Sequence, residues 1–72
     1  MKRPMKYAVV IEKTERNFSA HIPDLPGCVA TGPSAAKVGR LIREAVQLHI
    51  KGLREDGLPV PKPTARCEYI EA

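Results

Sequence analysis

The chain has 72 residues, with 12 basic and 8 acidic side chains and a formal net charge of +4 at pH 7. A chain this short excludes a second domain and buries only about 60% of the surface that its unfolded form exposes. Apolar residues make up 43% of the sequence, enough for a modest core, and the positive charge is compatible with nucleic acid without requiring it. We therefore predict a single domain over residues 1–72 that gains stability by self-association.

The two cysteines, Cys28 and Cys67, stand apart, without a C-x-x-C pair or a histidine at metal-ligand spacing. This arrangement argues against a zinc site, and no secretory signal indicates an oxidising compartment. The basic start, residues 1–4, precedes a stretch that is too short and too polar for a membrane span. We expect reduced thiols in a soluble cytoplasmic protein that has no metal, no cofactor and no membrane partner.

Alternating apolar residues predict two strands joined as a hairpin. In residues 5–13 and again in residues 18–22, every second side chain is apolar, so each segment has one face suited to a core. The polar connection between them, residues 14–17, lacks glycine, and Asn17 is the residue best able to adopt a left-handed conformation there.

The next segment, residues 23–27, reads Pro-Asp-Leu-Pro-Gly and must be an ordered turn, because its two prolines cannot donate to a strand ladder. Residues 28–31 then form a short third strand. Apolar residues at spacings of three and four predict a helix from Ala35 to Glu55 or Asp56, with Ser34 as its N-cap and Gly57 just beyond its end.

Two glycines lie inside the predicted helix, Gly39 and Gly52, and each costs roughly 1 kcal/mol relative to alanine. We interpret them as positions of close packing. Three alternating prolines follow the helix, and residues 65–70 predict a fourth strand. The fold class is therefore α+β, a three-stranded antiparallel meander with one helix packed on one face and a fourth strand. The second face, with Ala8, Val10 and Ile70, is left for water or a partner.

No group of residues forms a convincing catalytic centre. His21 and His49 stand alone, and they are better explained as a surface and a core residue, respectively. Glu12 and Asp24 lie where a two-metal nuclease would place acids, but such sites usually need more carboxylates. We expect no enzymatic activity, with a residual nuclease as the weaker interpretation.

Several strings of the sequence resemble the HicB family of bacterial antitoxins, and the most specific is Pro-Asp-Leu-Pro-Gly-Cys, which ends at Cys28. The others are residues 7–13, residues 18–22, Thr31-Gly32-x-Ser34, Glu44-Ala45, His49 and residues 56–61. The resemblance implies a truncated, partial ribonuclease H-like fold without its catalytic acids. This chain departs from the family at Ala35-Ala36-Lys37, where the start of the helix is usually acidic.

The resemblance also implies that the domain binds and occludes a HicA-type toxin, a small basic ribonuclease that cleaves mRNA. Family members usually add a C-terminal DNA-binding module, but the sequence stops at Ala72, so we expect no direct DNA binding from this chain. The alternatives are a small nucleic-acid-binding module that uses its basic helix and an orphan HicB-like domain without a toxin. We expect a homodimer or tetramer.

We predict that the partner-binding residues are those of the proline-rich turn: Pro23, Asp24, Leu25, Pro26 and Gly27. The prolines limit the entropy lost on binding, Asp24 offers a charge complementary to a basic ribonuclease, and Leu25 would be the apolar contact. The same residues also suit a turn that only links two strands, with Asp24 as a local cap and Gly27 at positive φ. The sequence leaves both interpretations open.

Overall fold

The computed structural model describes residues 5–71, so the basic start predicted at residues 1–4 lies outside the described residues. The described chain forms an antiparallel meander of three neighbouring strands followed by one helix. The elements are β1 (Val10–Lys13), β2 (Phe18–His21), β3 (Val29–Gly32) and α1 (Ala35–Glu55). This arrangement confirms the predicted α+β fold.

Strand β1 is shorter than the sequence pattern predicted, because it begins at Val10 and not at Met5. Val10 pairs with His21, the last residue of β2. Beyond that pair, the N–H of Ile22 bonds to the carbonyl of Cys28 within the next turn, and Pro23 has no N–H to donate. Residues before Val10 therefore lack a ladder partner on β2.

The hairpin between β1 and β2 closes through Thr14. Its N–H and hydroxyl both donate to the carbonyl of Asn17, at 2.7 and 2.9 Å, and its hydroxyl accepts from the Asn17 N–H at 3.0 Å. No non-glycine residue in the described part of the chain has a positive φ. The predicted left-handed conformation of Asn17 is therefore wrong, because a threonine side chain closes the loop instead.

Helix α1 has the start and end that the sequence predicted. The hydroxyl of Ser34 accepts a hydrogen bond from the N–H of Lys37 at 3.1 Å, which is the N-cap contact. At the other end, Gly57 has φ +70° and its N–H bonds to the carbonyl of Arg54. Within residues 5–71, no helix has the length and apolar character needed to cross a bilayer.

The helical glycines do not mark close packing. A Cβ built at Gly39 or Gly52 would meet no atom within 4 Å, so space is available at both positions. The close approach lies instead at Gly32, where a Cβ would come within 3.4 Å of the Val38 backbone nitrogen. The interpretation of Gly39 and Gly52 as packing positions is wrong, since the helix does not meet another element closely at either point.

The core lies between the sheet and α1 and extends into the turn that follows β2. Its buried side chains come from β2, from the turn and the residues that flank it, and from the helix: Ala20, Ile22, Leu25, Cys28, Val38 and Ile42. The helix packs most closely against β3 and least against β1. Because of this offset, the helix-facing side of β1 is only partly covered.

The fourth strand predicted at residues 65–70 is not confirmed, because the described sheet ends at β1 and β3. This segment is irregular and lies beside β1, with the Cys67 Sγ 3.9 Å from the Val9 carbonyl oxygen. β1 begins only at Val10, which leaves few ladder positions beside the segment. Its last apolar side chains, Tyr69 and Ile70, are exposed, so no burial fixes a strand register. The partial ribonuclease H-like fold likewise stays a prediction.

Candidate partner-binding site

The proline-rich turn, residues 23–27, forms one end of the core. Two consecutive hydrogen bonds shape it, from the Leu25 N–H to the Ile22 carbonyl and from the Cys28 N–H to the Leu25 carbonyl, both at 3.0 Å. The three residues that these bonds connect are also the buried ones, at a spacing of three. Gly27 has φ +85°, a conformation that glycine adopts without strain. The turn is therefore an ordered cap on the core with a fixed outer surface.

Only part of the predicted partner-binding set lies on that outer surface. Pro23, Pro26 and Gly27 are exposed, whereas Asp24 is half-buried. Leu25 is 0% exposed and packs in the core, so the prediction that it is the apolar contact for a partner must be corrected. Its side chain points inwards because the hydrogen bonds of the turn bring Ile22, Leu25 and Cys28 to the same side.

The carboxylate of Asp24 fastens the C-terminal segment to the turn. Its Oδ1 accepts from the Thr64 hydroxyl at 2.6 Å, and its Oδ2 accepts from the N–H groups of Thr64 and Ala65, each at 2.9 Å. The hydrogen bond from the Thr64 hydroxyl, followed by those from the two backbone N–H groups, lowers the pKa of Asp24 below its ordinary value. Asp24 thus joins parts of the chain 40 residues apart and does not act as the local cap of its own turn.

Tyr7 makes a second fastening, since its hydroxyl donates to the carbonyl of Pro61. Burial raises the pKa of Tyr7, the Asp24 carboxylate raises it further, and Arg54 opposes the shift. The thiols are free: Cys28 is buried, which raises its pKa, and Cys67 is exposed. Together with Asp24, Tyr7 therefore holds the stretch after the helix against the proline-rich turn and the segment before β1.

An open groove of about 720 Å³ lies between α1 and the stretch from Met5 to Ile11, which leads into β1. Its floor is apolar, and its charged side chains, Arg43, Lys51 and Arg54, are all basic. The remaining lining residues are Met5, Tyr7, Val9, Ile11, Ile22, Gly39, Ile42, Val46, Gln47 and Ile50. This groove therefore combines an apolar floor with a basic charge.

The candidate catalytic residues do not come together. Within residues 5–71, no three histidine, cysteine, aspartate or glutamate side chains are grouped so that they could hold a metal ion. Glu12 is exposed on β1. Asp24 follows the end of β2, the strand that pairs with β1, and accepts hydrogen bonds from Thr64 and Ala65 there. His21 is exposed and His49 is half-buried on the helix.

Sequence reasoning missed the partners of Asp24 and the groove. Thr64 and Ala65 follow three prolines and carry no local signal, because the contact depends on how the chain returns from the helix. The sequence shows the basic residues of the groove as a run along the predicted helix, but it does not show that they lie near β1. The period-two pattern of Tyr7, Val9 and Ile11 was the available signal, since it marks the face that forms the floor.

This fold defines a small α+β domain, and comparisons with known proteins specify its family. Residues 7–72 match the family model described as HicB_like antitoxin of bacterial toxin-antitoxin system. The chain therefore belongs to the HicB-like antitoxin family. The match covers nearly all of the sequence and confirms the resemblance inferred from its motifs.

Related proteins and a solved structure agree with this assignment. An uncharacterized 14.9 kDa protein from Haemophilus phage HP1 is 33% identical over 66 residues, which cover 92% of this chain and 50% of the phage protein. This chain thus spans about half the length of that relative. A UPF0150 protein of Helicobacter pylori is 43% identical over 68% of each chain. A chain of a HicA3 and HicB3 toxin-antitoxin complex superimposes with a TM-score of 0.70 and 33% identity, over 83% of this chain and 70% of that one.

Proposed function

We propose that this domain is an antitoxin that binds a HicA-type mRNA-cleaving toxin and occludes its active site. The similarity to a chain of the HicA3 and HicB3 complex, at a TM-score of 0.70 and 33% identity, is the observation that carries the proposal. Membership of the HicB-like antitoxin family agrees with it. The domain acts by covering the toxin and performs no reaction of its own.

The outer surface of the turn, residues 23–27, is the proposed contact. Pro23 and Pro26 are exposed there, and the hydrogen bonds of the turn and of Asp24 hold the backbone in one shape. A surface that is already ordered loses little conformational entropy when a partner binds. The Asp24 carboxylate adds a negative potential near this surface, which favours a basic toxin.

An inhibition assay tests the function directly. The purified domain is titrated into a HicA-type toxin that is cleaving a labelled mRNA, and toxin binding is measured by calorimetry. We expect stoichiometric inhibition. If the domain neither binds nor inhibits a HicA-type toxin encoded by a neighbouring gene, nor related HicA-type toxins, the proposed function is wrong.

A matched pair of variants tests the surface separately. Pro26→Arg places a positive charge on the turn, whereas Pro33→Arg makes the same change at an exposed proline after the opposite end of β3. We expect Pro26→Arg to weaken inhibition by about tenfold or more, because a charge repelled by the basic toxin lies in the contact. Pro33→Arg should leave it unchanged. If the two substitutions have equal effects, the toxin contact does not lie on the turn. The antitoxin assignment would then be unaffected.

A further inference from the structure

The groove between α1 and the stretch from Met5 to Ile11 leaves apolar side chains partly open to water. Its floor includes half-buried side chains from both sides: Tyr7, Val9, Val46 and Ile50. Met5 and Ile11 also line it and are 40% and 42% exposed. A partner that covers this floor removes apolar area from water, which is the main favourable contribution to most protein association.

The charge of the groove has one sign. Arg43, Lys51 and Arg54 line it, and none of its described lining residues is acidic. Among the residues that the structure describes, Arg43 and Arg54 form no ion pair. Lys51 makes only a 4.0 Å contact with Glu55 between two exposed side chains, and such pairs contribute little to stability. The basic charge of the groove therefore favours a partner that carries carboxylates.

The spacing of the basic side chains indicates the kind of partner. Arg54 follows Arg43 by eleven positions in α1, a rise of about 16 Å along the helix. A small amphiphile with one carboxylate meets only one end of that row, whereas a peptide with several carboxylates meets all of it. An extended peptide puts only every second side chain into a groove, but a helix of about three turns covers the same length with a continuous apolar stripe.

A nucleic acid suits the groove less well than such a peptide. Proteins that bind single strands stack the bases on aromatic side chains. Of the described residues that line the groove, Tyr7 alone is aromatic, and its hydroxyl is bonded to the Pro61 carbonyl. The aliphatic side chains of the floor have no counterpart in a phosphate backbone. A basic toxin is repelled by the same charges that attract carboxylates, so it is not the expected occupant either.

We propose that the groove binds a short acidic amphipathic helix of a second protein partner, which is not the basic toxin. The apolar stripe of that helix covers the floor, and carboxylates beside the stripe pair with Arg43, Lys51 and Arg54. None of the turn residues 23–27 lines the groove, so the two partners contact different surfaces. The proposal does not rest on the antitoxin function, because it depends only on the shape and charge of this groove.

Binding of a synthetic peptide to the full chain tests the proposal. The probe is a labelled helical peptide of about twelve residues, with leucines at every third or fourth position and glutamates beside them. A matched peptide has lysines in place of the glutamates. Fluorescence anisotropy measures the dissociation constant of each. We expect the glutamate peptide to bind about tenfold more tightly or better, and we expect added salt to reduce the difference.

A charge exchange tests the pairing itself. Arg43→Glu/Lys51→Glu should weaken binding of the glutamate peptide by about tenfold or more and should make the lysine peptide the tighter ligand. Lys37→Glu/Arg40→Glu makes the same change of charge on the helix outside the groove and should leave the order of the two peptides unchanged. Circular dichroism confirms that each variant retains its helix.

Further variants test the floor and separate the groove from the turn. Ile11→Ser should weaken binding of the glutamate peptide by about fivefold or more, because it removes an apolar side chain from the groove. Val29→Ser removes an exposed apolar side chain of β3 outside the groove and should have no effect. Pro26→Arg, on the turn, should also leave peptide binding unchanged. A failure of toxin inhibition is thereby distinguishable from a failure of peptide binding.

Four results would overturn the proposal. The first is equal or absent binding of the two peptides. The second is a Lys37→Glu/Arg40→Glu variant that weakens binding as much as Arg43→Glu/Lys51→Glu does, which would place the peptide elsewhere on the helix. The third is a single-stranded RNA that binds more tightly than the glutamate peptide and displaces it. The fourth is self-association of the chain that the groove variants abolish, because a second copy would then occupy the groove.

Discussion

Replacing Leu25 with alanine tests whether the proline-rich turn is part of the core. The Leu25 side chain is 0% exposed and packs in the cluster of buried residues from β2 and α1. Leucine-to-alanine substitutions at buried sites cost about 2–5 kcal/mol of unfolding free energy. At about 0.05–0.15 kcal/mol per residue, a domain of this size has about 4–11 kcal/mol in total. A loss of about 3 kcal/mol would lower the melting temperature by about 12–24 °C.

Leu48→Ala is the matched control, because the same side chain is removed from a helical position that is 69% exposed. We expect it to change the unfolding free energy by about 0.5 kcal/mol or less. Urea and thermal unfolding, followed by circular dichroism at the helix signal, measure both variants. If Leu25→Ala is no more destabilising than Leu48→Ala, the turn does not contribute to the core and the reasoning above is refuted.

Three further predictions concern the hydrogen bonds of Asp24, a glycine within the helix and the glycine just after it. In Asp24→Asn, a neutral amide replaces the charged carboxylate that accepts from Thr64 and Ala65, and a neutral acceptor forms weaker hydrogen bonds, so the variant should be less stable than the parent. Because the pKa of Asp24 is lowered in the folded state, its contribution is complete above the ordinary value of 3.8 and is lost as the pH falls through the lower folded pKa. Gly52→Ala should stabilise the domain by roughly 0.5–1 kcal/mol, since space is available and the helix gains propensity. Gly57→Ala should destabilise it by about 1 kcal/mol, because φ +70° strains an alanine.

Unfolding titrations of the parent and of Asp24→Asn at several pH values check the prediction for Asp24. Asp56→Asn, at an exposed aspartate, is the control. A stability difference between parent and Asp24→Asn that persists unchanged well below pH 3.8 would contradict the carboxylate's role. The unfolding free energies of Gly52→Ala and Gly57→Ala are measured at one neutral pH. Changes of the same sign for Gly52→Ala and Gly57→Ala would contradict the contrast in backbone conformation.

The helix and the strands of the meander could be predicted because local patterns specify them. Ser34 and Gly57 marked the ends of the helix through hydrogen bonds that span only a few residues. The alternation in residues 18–22 marked the buried face of β2, where Ala20 and Ile22 lie in the core. The family resemblance came from the same kind of local information, the Pro-Asp-Leu-Pro-Gly-Cys string, and the family match confirms it.

The proline-rich turn was predicted to be ordered, but the direction of its side chains was not predictable from its composition. A proline-rich loop on the surface and one that caps the core have the same sequence. The difference arises from the hydrogen bonds that bring Leu25 inwards beside Ile22 and Cys28.

The sequence by itself determined the order of the elements, the ends of the helix and the family, since these depend on contacts between residues close along the chain. Only the tertiary structure decided that Asp24 holds Thr64, that Leu25 is buried and that α1 leaves β1 partly uncovered. These features depend on where distant segments come to lie when the core packs. A one-dimensional pattern does not contain that information, because the position of the helix across the sheet is set by all of its packing contacts together.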